Sequence, residues 1–321
     1  MILGRTLHEK IKVAVIGAGL MAEAHIKAFA DIPSVSLVGI QSRTKGRAEA
    51  LAAKYGIPDI YDSVDALYVG TQADLVIVAV SELSVNAVCM AVFKYPWQSL
   101  IEKPVGYNLP DALHIAAAAD RADRKAYIAF NRRHYSSTRA VLCELESVDG
   151  ARVVHAFDQE DPITALEGGK PALVVENWMY ANSIHIIDYL SVFCRGEVTG
   201  VNHAIKWNPD EPRFVVASVT YSSGDVGIYH ATWNGPGPWA ISVTTQAKRW
   251  EMRPLEQAVS QLNKSRKTEP LDLSSWDSEF KPGLRQQAEE AIKALRGEAH
   301  CLPTLADGIT TMKLVNFIYE A

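Results

Sequence analysis

Residues 12–22 read Lys-Val-Ala-Val-Ile-Gly-Ala-Gly-Leu-Met-Ala, an apolar run that passes into a glycine turn and then into a helical pattern. Gly17 would make the tight turn without a side-chain penalty, and Gly19 would let the backbone approach a pyrophosphate. The helix that begins there would aim unpaired N–H groups and its positive dipole end at the phosphates. Ala22 replaces the third glycine of this dinucleotide fingerprint, at the close strand-to-helix contact. A second apolar run ends about 20 residues on, the spacing at which such a site meets the ribose. There the chain reads Gly39-Ile40-Gln41-Ser42-Arg43. An acidic residue at this point would accept from a ribose 2′-hydroxyl, whereas Ser42 and Arg43 offer a hydroxyl and a forked cation suited to a 2′-phosphate. NADP(H) is therefore favoured, with NAD(H) as the other possibility. Lys45 and Arg47 either add to that site or form a solvated first helical turn.

A pattern of alternating strands and helices must hold these residues. Apolar runs at 13–16, 36–40, 75–80, 100–101 and 127–130 read as strands with helices between them; one helix, 44–55, stops at Gly56 with Pro58 beyond. This is βαβ alternation, and it predicts a doubly wound parallel sheet over a domain of residues 1–130. The pattern then changes. A helix at 136–145, a strand at 152–157, a Gly- and Pro-containing loop at 161–171 and a helix over 184–193 precede strands at 198–205, 214–221, 226–233, 240–245 and 250–255. Two helices, 284–295 and 306–318, close the chain. Consecutive strands without intervening helices predict an α/β domain of residues 131–321 built on an open, mostly antiparallel sheet.

Three motifs together resemble the Gfo/Idh/MocA oxidoreductase family. They are Gly17-Ala18-Gly19-Leu20-Met21-Ala22, Glu102-Lys103-Pro104 directly after the strand at Leu100, and His185-Ile186-Ile187-Asp188. The resemblance runs from about residue 10 to the C-terminus and includes Asn131-Arg132-Arg133 and Phe280-Lys281-Pro282-Gly283. It implies an N-terminal Rossmann domain, a homodimer or homotetramer, and NAD(P)-dependent oxidation or reduction of a sugar-like alcohol or ketone. It also implies that Gly17, Gly19, Leu20, Met21, Ser42, Arg43, Glu102 and Lys103 meet the cofactor.

Hydride transfer at a carbinol carbon needs a group of tunable pKa beside the oxygen. Lys103 follows a parallel strand at the sheet edge where ligands bind, and its ammonium could polarise a carbonyl or give up a proton. The alternative is a lysine paired with Glu102. His185 and Asp188, three apart, share a helical face, where a carboxylate can fix an imidazole tautomer; otherwise both are core groups. Trp178, seven residues before His185, would project near the same face, and Tyr180, Asn182, Asp188 and Arg133 complete the substrate candidates. Trp233 and Trp239, flanking Asn234-Gly235-Pro236-Gly237-Pro238, either serve as platforms for a sugar ring or lie in the core. Arg132 and Arg133 reach either a ligand or a salt-bridge partner.

The sequence also departs from the family pattern. Many members carry an aspartate one helical turn before the histidine, and here that residue is Ala181, which can neither take a proton nor orient a lysine. Ser183 stands where a glycine is usual, and Ser81-Glu82-Leu83-Ser84 lacks the usual proline and histidine. Proton transfer would then fall to Lys103, His185, the Tyr180 hydroxyl or water. Two other functions compete with the dehydrogenase: a catalytically silent sensor of dinucleotide or sugar, and a variant that uses bound nicotinamide transiently for another reaction on a sugar.

The 321 residues, 48% hydrophobic and 21% charged with a formal net charge of −5, have the composition of a globular protein of two domains. The charge gives no basic field for nucleic acid or anionic lipid. The opening Met-Ile-Leu-Gly-Arg-Thr-Leu-His-Glu-Lys has no signal-peptide core, and no apolar run is long enough to span a bilayer, so a cytoplasmic protein is expected. Cys89, Cys143, Cys194 and Cys301 lack metal-site or disulfide spacing; they read as buried thiols, and no metal is expected.

Overall fold

The computed structural model describes residues 10–320. The described chain through Asn131, joined by Trp276–Ile309, forms one compact unit; Arg132–Ser275, joined by the chain from Thr310, forms another. In the first unit β1 (Ile11–Ile16), β2 (Val35–Gln41), β3 (Ile60–Tyr61), β4 (Leu75–Val78), β5 (Gln98–Glu102) and β6 (Ala126–Ala129) make one sheet in the order β3-β2-β1-β4-β5-β6. All its pairings are parallel. Five helices alternate with these strands, α1 (Leu20–Ala30), α2 (Lys45–Tyr55), α3 (Val64–Thr71), α4 (Val85–Val92) and α5 (Leu109–Arg121). Helices cover both faces of such a sheet, which is why β4 is Leu-Val-Ile-Val and buried throughout. The strand order turns back at β1, between β2 and β4, and this opens the crevice in which doubly wound sheets bind their ligands.

The return of Trp276–Ile309 to the first unit differs from a single division at residue 130. The cause is the helix Leu284–Arg296. Its Leu284, Ala288, Ala291, Ile292 and Leu295 join the same core cluster as Ile26 and Phe29 of α1. An apolar helical stripe has to be covered, and here α1 is the partner.

The second unit is an eight-stranded sheet of β7 (Val153–Glu160), β8 (Val198–Ile205), β9 (Phe214–Tyr221), β10 (Val226–Trp233), β11 (Ala240–Thr244), β12 (Lys248–Met252), β13 (Val259–Leu262) and β14 (Glu269–Pro270). Its order is β14-β13-β12-β11-β7-β10-β9-β8, and the one parallel pair is β7 with β10. The helix Ile184–Phe193 packs against β7. Val154, Ala156, Asp158 and Glu160, alternate residues of β7, are buried, while their neighbours are less so.

Several local expectations need correction. Within the anticipated loop 161–171, Pro162–Glu167 is helical, because Asp161 caps the Thr164 N–H at 2.9 Å and Pro162 starts the turn with its φ preset. The strand expected at 250–255 is displaced to β12, ending before Pro254, which has no N–H for a ladder. β3, β13 and β14 are short strands that the pattern did not suggest. Cys89 and Cys194 are buried, and burial pushes the Cys194 thiol up to about 12, but Cys143 and Cys301 are exposed. Among the described residues no helix is long and apolar enough to cross a membrane.

Asp225, fully buried at the start of β10, ties the second unit together. It accepts the Arg152 and Arg195 main-chain N–H groups, both at 2.8 Å, and both arms of the Arg195 guanidinium at 2.7 and 2.9 Å. Burial opposes its charge, but these donors outweigh burial and hold the carboxyl at about 2. Because this lies below the value of about 3.9 for an unfolded Asp, the stabilisation is present above about pH 4 and is lost as the pH falls toward 2. Asp225→Asn is therefore expected to lower stability at neutral pH by about 2 kcal/mol and to flatten the acid limb, as read from denaturation midpoints across pH.

Candidate functional site

In the first unit a cavity of about 360 Å³ lies at the C-terminal ends of β1, β2 and β4, lined among others by Gly17, Gly19, Ser42, Arg43, Ser81 and Ser84. Gly17 has φ +115°, and an added Cβ would overlap the Ala79 carbonyl oxygen, so this turn requires glycine. Gly19 is extended backbone just before α1, and a Cβ on it would meet nothing within 4 Å; its lack of a side chain leaves open the space before the helix N-terminus. This cradle fits a pyrophosphate. Leu20 projects into solvent and Met21 packs on the core, so what these two can offer a phosphate is the unpaired main-chain N–H of a first helical turn.

The far end of the cavity is polar and cationic. The Arg43 guanidinium donates to the Ser84 hydroxyl at 3.1 Å, Ser84 lies 2.9 Å from the Ser81 hydroxyl, and Ser42 Oγ accepts the Thr44 N–H at 3.1 Å. Arg47 also lines the cavity, whereas Lys45 does not, and none of the lining residues is acidic. In the sequence Ser81 and Ser84 stand out only as a departure from a family pattern. Their place opposite Arg43 follows from β4 lying next to β1, which loop composition does not reveal.

At the end of β5, Glu102 is buried, and its Oε1 lies 2.7 Å from Nε2 of His25 on α1. Its carboxylate is thus engaged by α1 and tethers the strand end from which the half-buried Lys103 leaves. Asn131 donates to the Pro282 carbonyl at 3.0 Å.

In the second unit, Arg133 grips Asp188 through two hydrogen bonds of 2.6 and 2.7 Å, and Thr311 donates to the same carboxylate at 2.7 Å. The two residues assigned to substrate thus answer each other, in the salt-bridge alternative. His185 is almost buried one turn earlier on the helix Ile184–Phe193. Burial pushes the phenol of the buried Tyr180 up to about 12. Met179–Ser183 is a π turn. A π turn takes an extra residue to complete, so the α-helical spacing that set Trp178 on the face of His185 does not hold across it. The Trp178 indole instead donates to Glu160 Oε2 at 2.6 Å. Asn182 donates to the same oxygen at 2.8 Å, and the Ser183 hydroxyl donates to Oε1 at 2.9 Å. Trp233 is buried, while Trp239 is half-buried beneath the Arg132 guanidinium at 4.1 Å.

The sequence reading missed Asp158 and Glu160. The sequence carries part of the signal, two acids two residues apart that continue the alternation of Val154 and Ala156, but past residue 157, where the strand was expected to end.

Comparison with known proteins gives these positions a context. Residues 11–130 match the Gfo/Idh/MocA oxidoreductase family, described as an NAD-binding Rossmann fold. The chain is 26% identical over 198 residues to D-apiose dehydrogenase of Paraburkholderia graminis, an alignment covering 60% of this chain and 52% of that protein. With glucose-6-phosphate 3-dehydrogenase of Bacillus subtilis it shares 28% identity over 125 residues, 39% of this chain and 35% of the relative. It therefore spans about half or less of the curated relatives it matches. The structure of a UDP-N-acetylglucosamine 3-dehydrogenase from Acidithiobacillus ferrooxidans superposes with a TM-score of 0.76 over 97% of each chain, at 18% identity, and so shares the fold.

Proposed function

We propose, from the match of residues 11–130 to the Gfo/Idh/MocA oxidoreductases, that this chain is an NADP(H)-dependent dehydrogenase or reductase of a sugar, sugar nucleotide or cyclitol. The observation that carries the reading is the cavity floored by Gly17 and Gly19 and closed by Arg43, with no acid among its lining residues. The nicotinamide, when bound, gives or takes the hydride. Gly17 and Gly19 leave room for the pyrophosphate, and Arg43, Ser42, Ser81 and Ser84 offer a cation and three hydroxyls to a 2′-phosphate. Lys103 is assigned the proton on the substrate oxygen, since Ala181 has no acid to share that work. His185 and Asn182 are assigned to substrate hydroxyls, and the dehydrogenases of apiose and glucose 6-phosphate among the relatives support a sugar.

The parent is expected to bind NADP(H) more tightly than NAD(H), and Arg43→Ala to lose about 10- to 100-fold of its NADP(H) affinity while NAD(H) changes little, the scale of one or two charge-assisted hydrogen bonds. Fluorescence titration with NADPH and NADH measures this; a parent that prefers NADH, or a variant with unchanged preference, overturns the 2′-phosphate assignment. Turnover of NADP⁺ with D-apiose, glucose 6-phosphate and myo-inositol tests the reaction itself. Ala181 favours the silent sensor as a second reading, and tight NADPH binding without turnover across such a panel would select it.

A further inference from the structure

Asp158 and Glu160 are successive inward residues of β7, at 2% and 0% exposure. Two carboxylates buried together on one strand face repel each other and lack the water that would solvate both charges, so one of them is kept protonated. Tyr229 spends its proton on Asp158 at 2.6 Å, and the Gln159 N–H goes to the other Asp158 oxygen at 2.9 Å. The Ser183 hydroxyl serves Glu160, and Tyr319, 2.8 Å from the Tyr229 hydroxyl and 3.3 Å from that of Ser183, completes a chain of hydroxyls from one carboxyl to the other. The Trp233 indole donates to Tyr319 at 3.1 Å. Burial raises both carboxyls, and the Asp158 charge pushes Glu160 well above the usual carboxylate range. With one proton between them the pair carries a single negative charge, and Arg132 supplies the positive charge that favours ionised Asp158.

On the outer side Glu160 accepts from Trp178, Asn182 and Ser183, which flank or belong to the π turn Met179–Ser183. We infer that Asp158 and Glu160 share one proton, and that this singly charged pair is what fixes the π turn carrying Asn182, making Glu160 a positioning residue for the substrate site proposed above. The link to substrate rests on that proposed function; the shared proton and its hold on the turn do not.

The neutral isostere separates this from a plain buried carboxylate. In Glu160→Gln the amide oxygen can still accept from Trp178 and Asn182, while the amide nitrogen replaces Oε1 without a charge and the Ser183 hydroxyl turns to accept from it and donate to Tyr319. The full chain without added ligand is measured at neutral pH by infrared difference spectroscopy and by nitrogen–proton NMR, with the Trp178 indole signal assigned through Trp178→Phe. The parent is expected to show a protonated-carboxyl C=O stretch that Glu160→Gln loses. The Trp178 indole and Asn182 amide signals should hold their positions in Glu160→Gln and be displaced in Glu160→Ala. A parent with no protonated-carboxyl band overturns the inference, whether or not any variant folds. So does a Glu160→Gln protein whose indole signal moves as far as in Glu160→Ala. Neither readout uses turnover, so a protein that reduces no sugar leaves this result standing.

Discussion

Lys103→Met is expected to leave NADPH affinity within about threefold of the parent and to lower kcat by on the order of 10² or more, the loss that follows removal of a general acid or base. Methionine keeps most of the stem and deletes the ammonium, so the change isolates charge and proton from packing. Lys103 leaves the C-terminal end of β5, the edge at which parallel sheets bind ligands. His185→Asn should cost less in kcat and appear more in KM, because an amide replaces one hydrogen-bonding function of the imidazole but not its proton chemistry. Steady-state rates with a turned-over sugar, together with NADPH titration, separate the two. A near-parent kcat in Lys103→Met would remove the lysine from the proton path.

Two glycines two residues apart should fail in opposite ways. Gly17→Ala forces a side chain onto a residue with φ +115° and into the Ala79 carbonyl, and is expected to cost about 3 kcal/mol or more of stability through strain and overlap. Gly19→Val meets no protein atom, since an added Cβ there has nothing within 4 Å, and its extended backbone suits a β-branched residue. That variant should fold with a near-parent melting curve and lose at least about 100-fold in NADPH affinity, because the branch occupies the space before the helix N-terminus where the pyrophosphate belongs. Thermal melts and titrations of both variants check the contrast. Full NADPH affinity in a folded Gly19→Val protein would mean that the phosphates lie elsewhere.

The sequence showed most clearly those features that depend on neighbours in the chain. The glycine turn at Gly17, the apolar β1 and β4 and the stop of α2 at Gly56 are local solutions to local constraints. The parallel sheet of the first unit follows from their alternation, whereas its order, β3-β2-β1-β4-β5-β6, comes from the fold. The helix Leu284–Arg296 shows its apolar stripe in the sequence, but a stripe says that a partner exists and not that it is α1. Trp178 falls off the face of His185 because one π turn alters the angular count between them, and no residue type announces a π turn. Asp188 and Arg133 were both singled out, yet only folding shows that each is the other's partner. Asp158 and Glu160 stayed hidden because an acid at an inward strand position looks like a break in the pattern until its donors, which include Trp178 and Tyr229, are in place.

The return of Trp276–Ile309 to the first unit has a consequence for synthesis. During translation the face of α1 that carries Ile26 and Phe29 must wait while more than half of the chain emerges before its covering helix, Leu284–Arg296, leaves the ribosome. A gene fragment ending at residue 130 would encode every strand of the six-stranded sheet and still yield a polypeptide with an uncovered apolar surface, prone to stick to itself or to a chaperone. A dinucleotide-binding fragment cut from this protein would have to be made by joining distant pieces of the gene, with the helix grafted back behind the sixth strand.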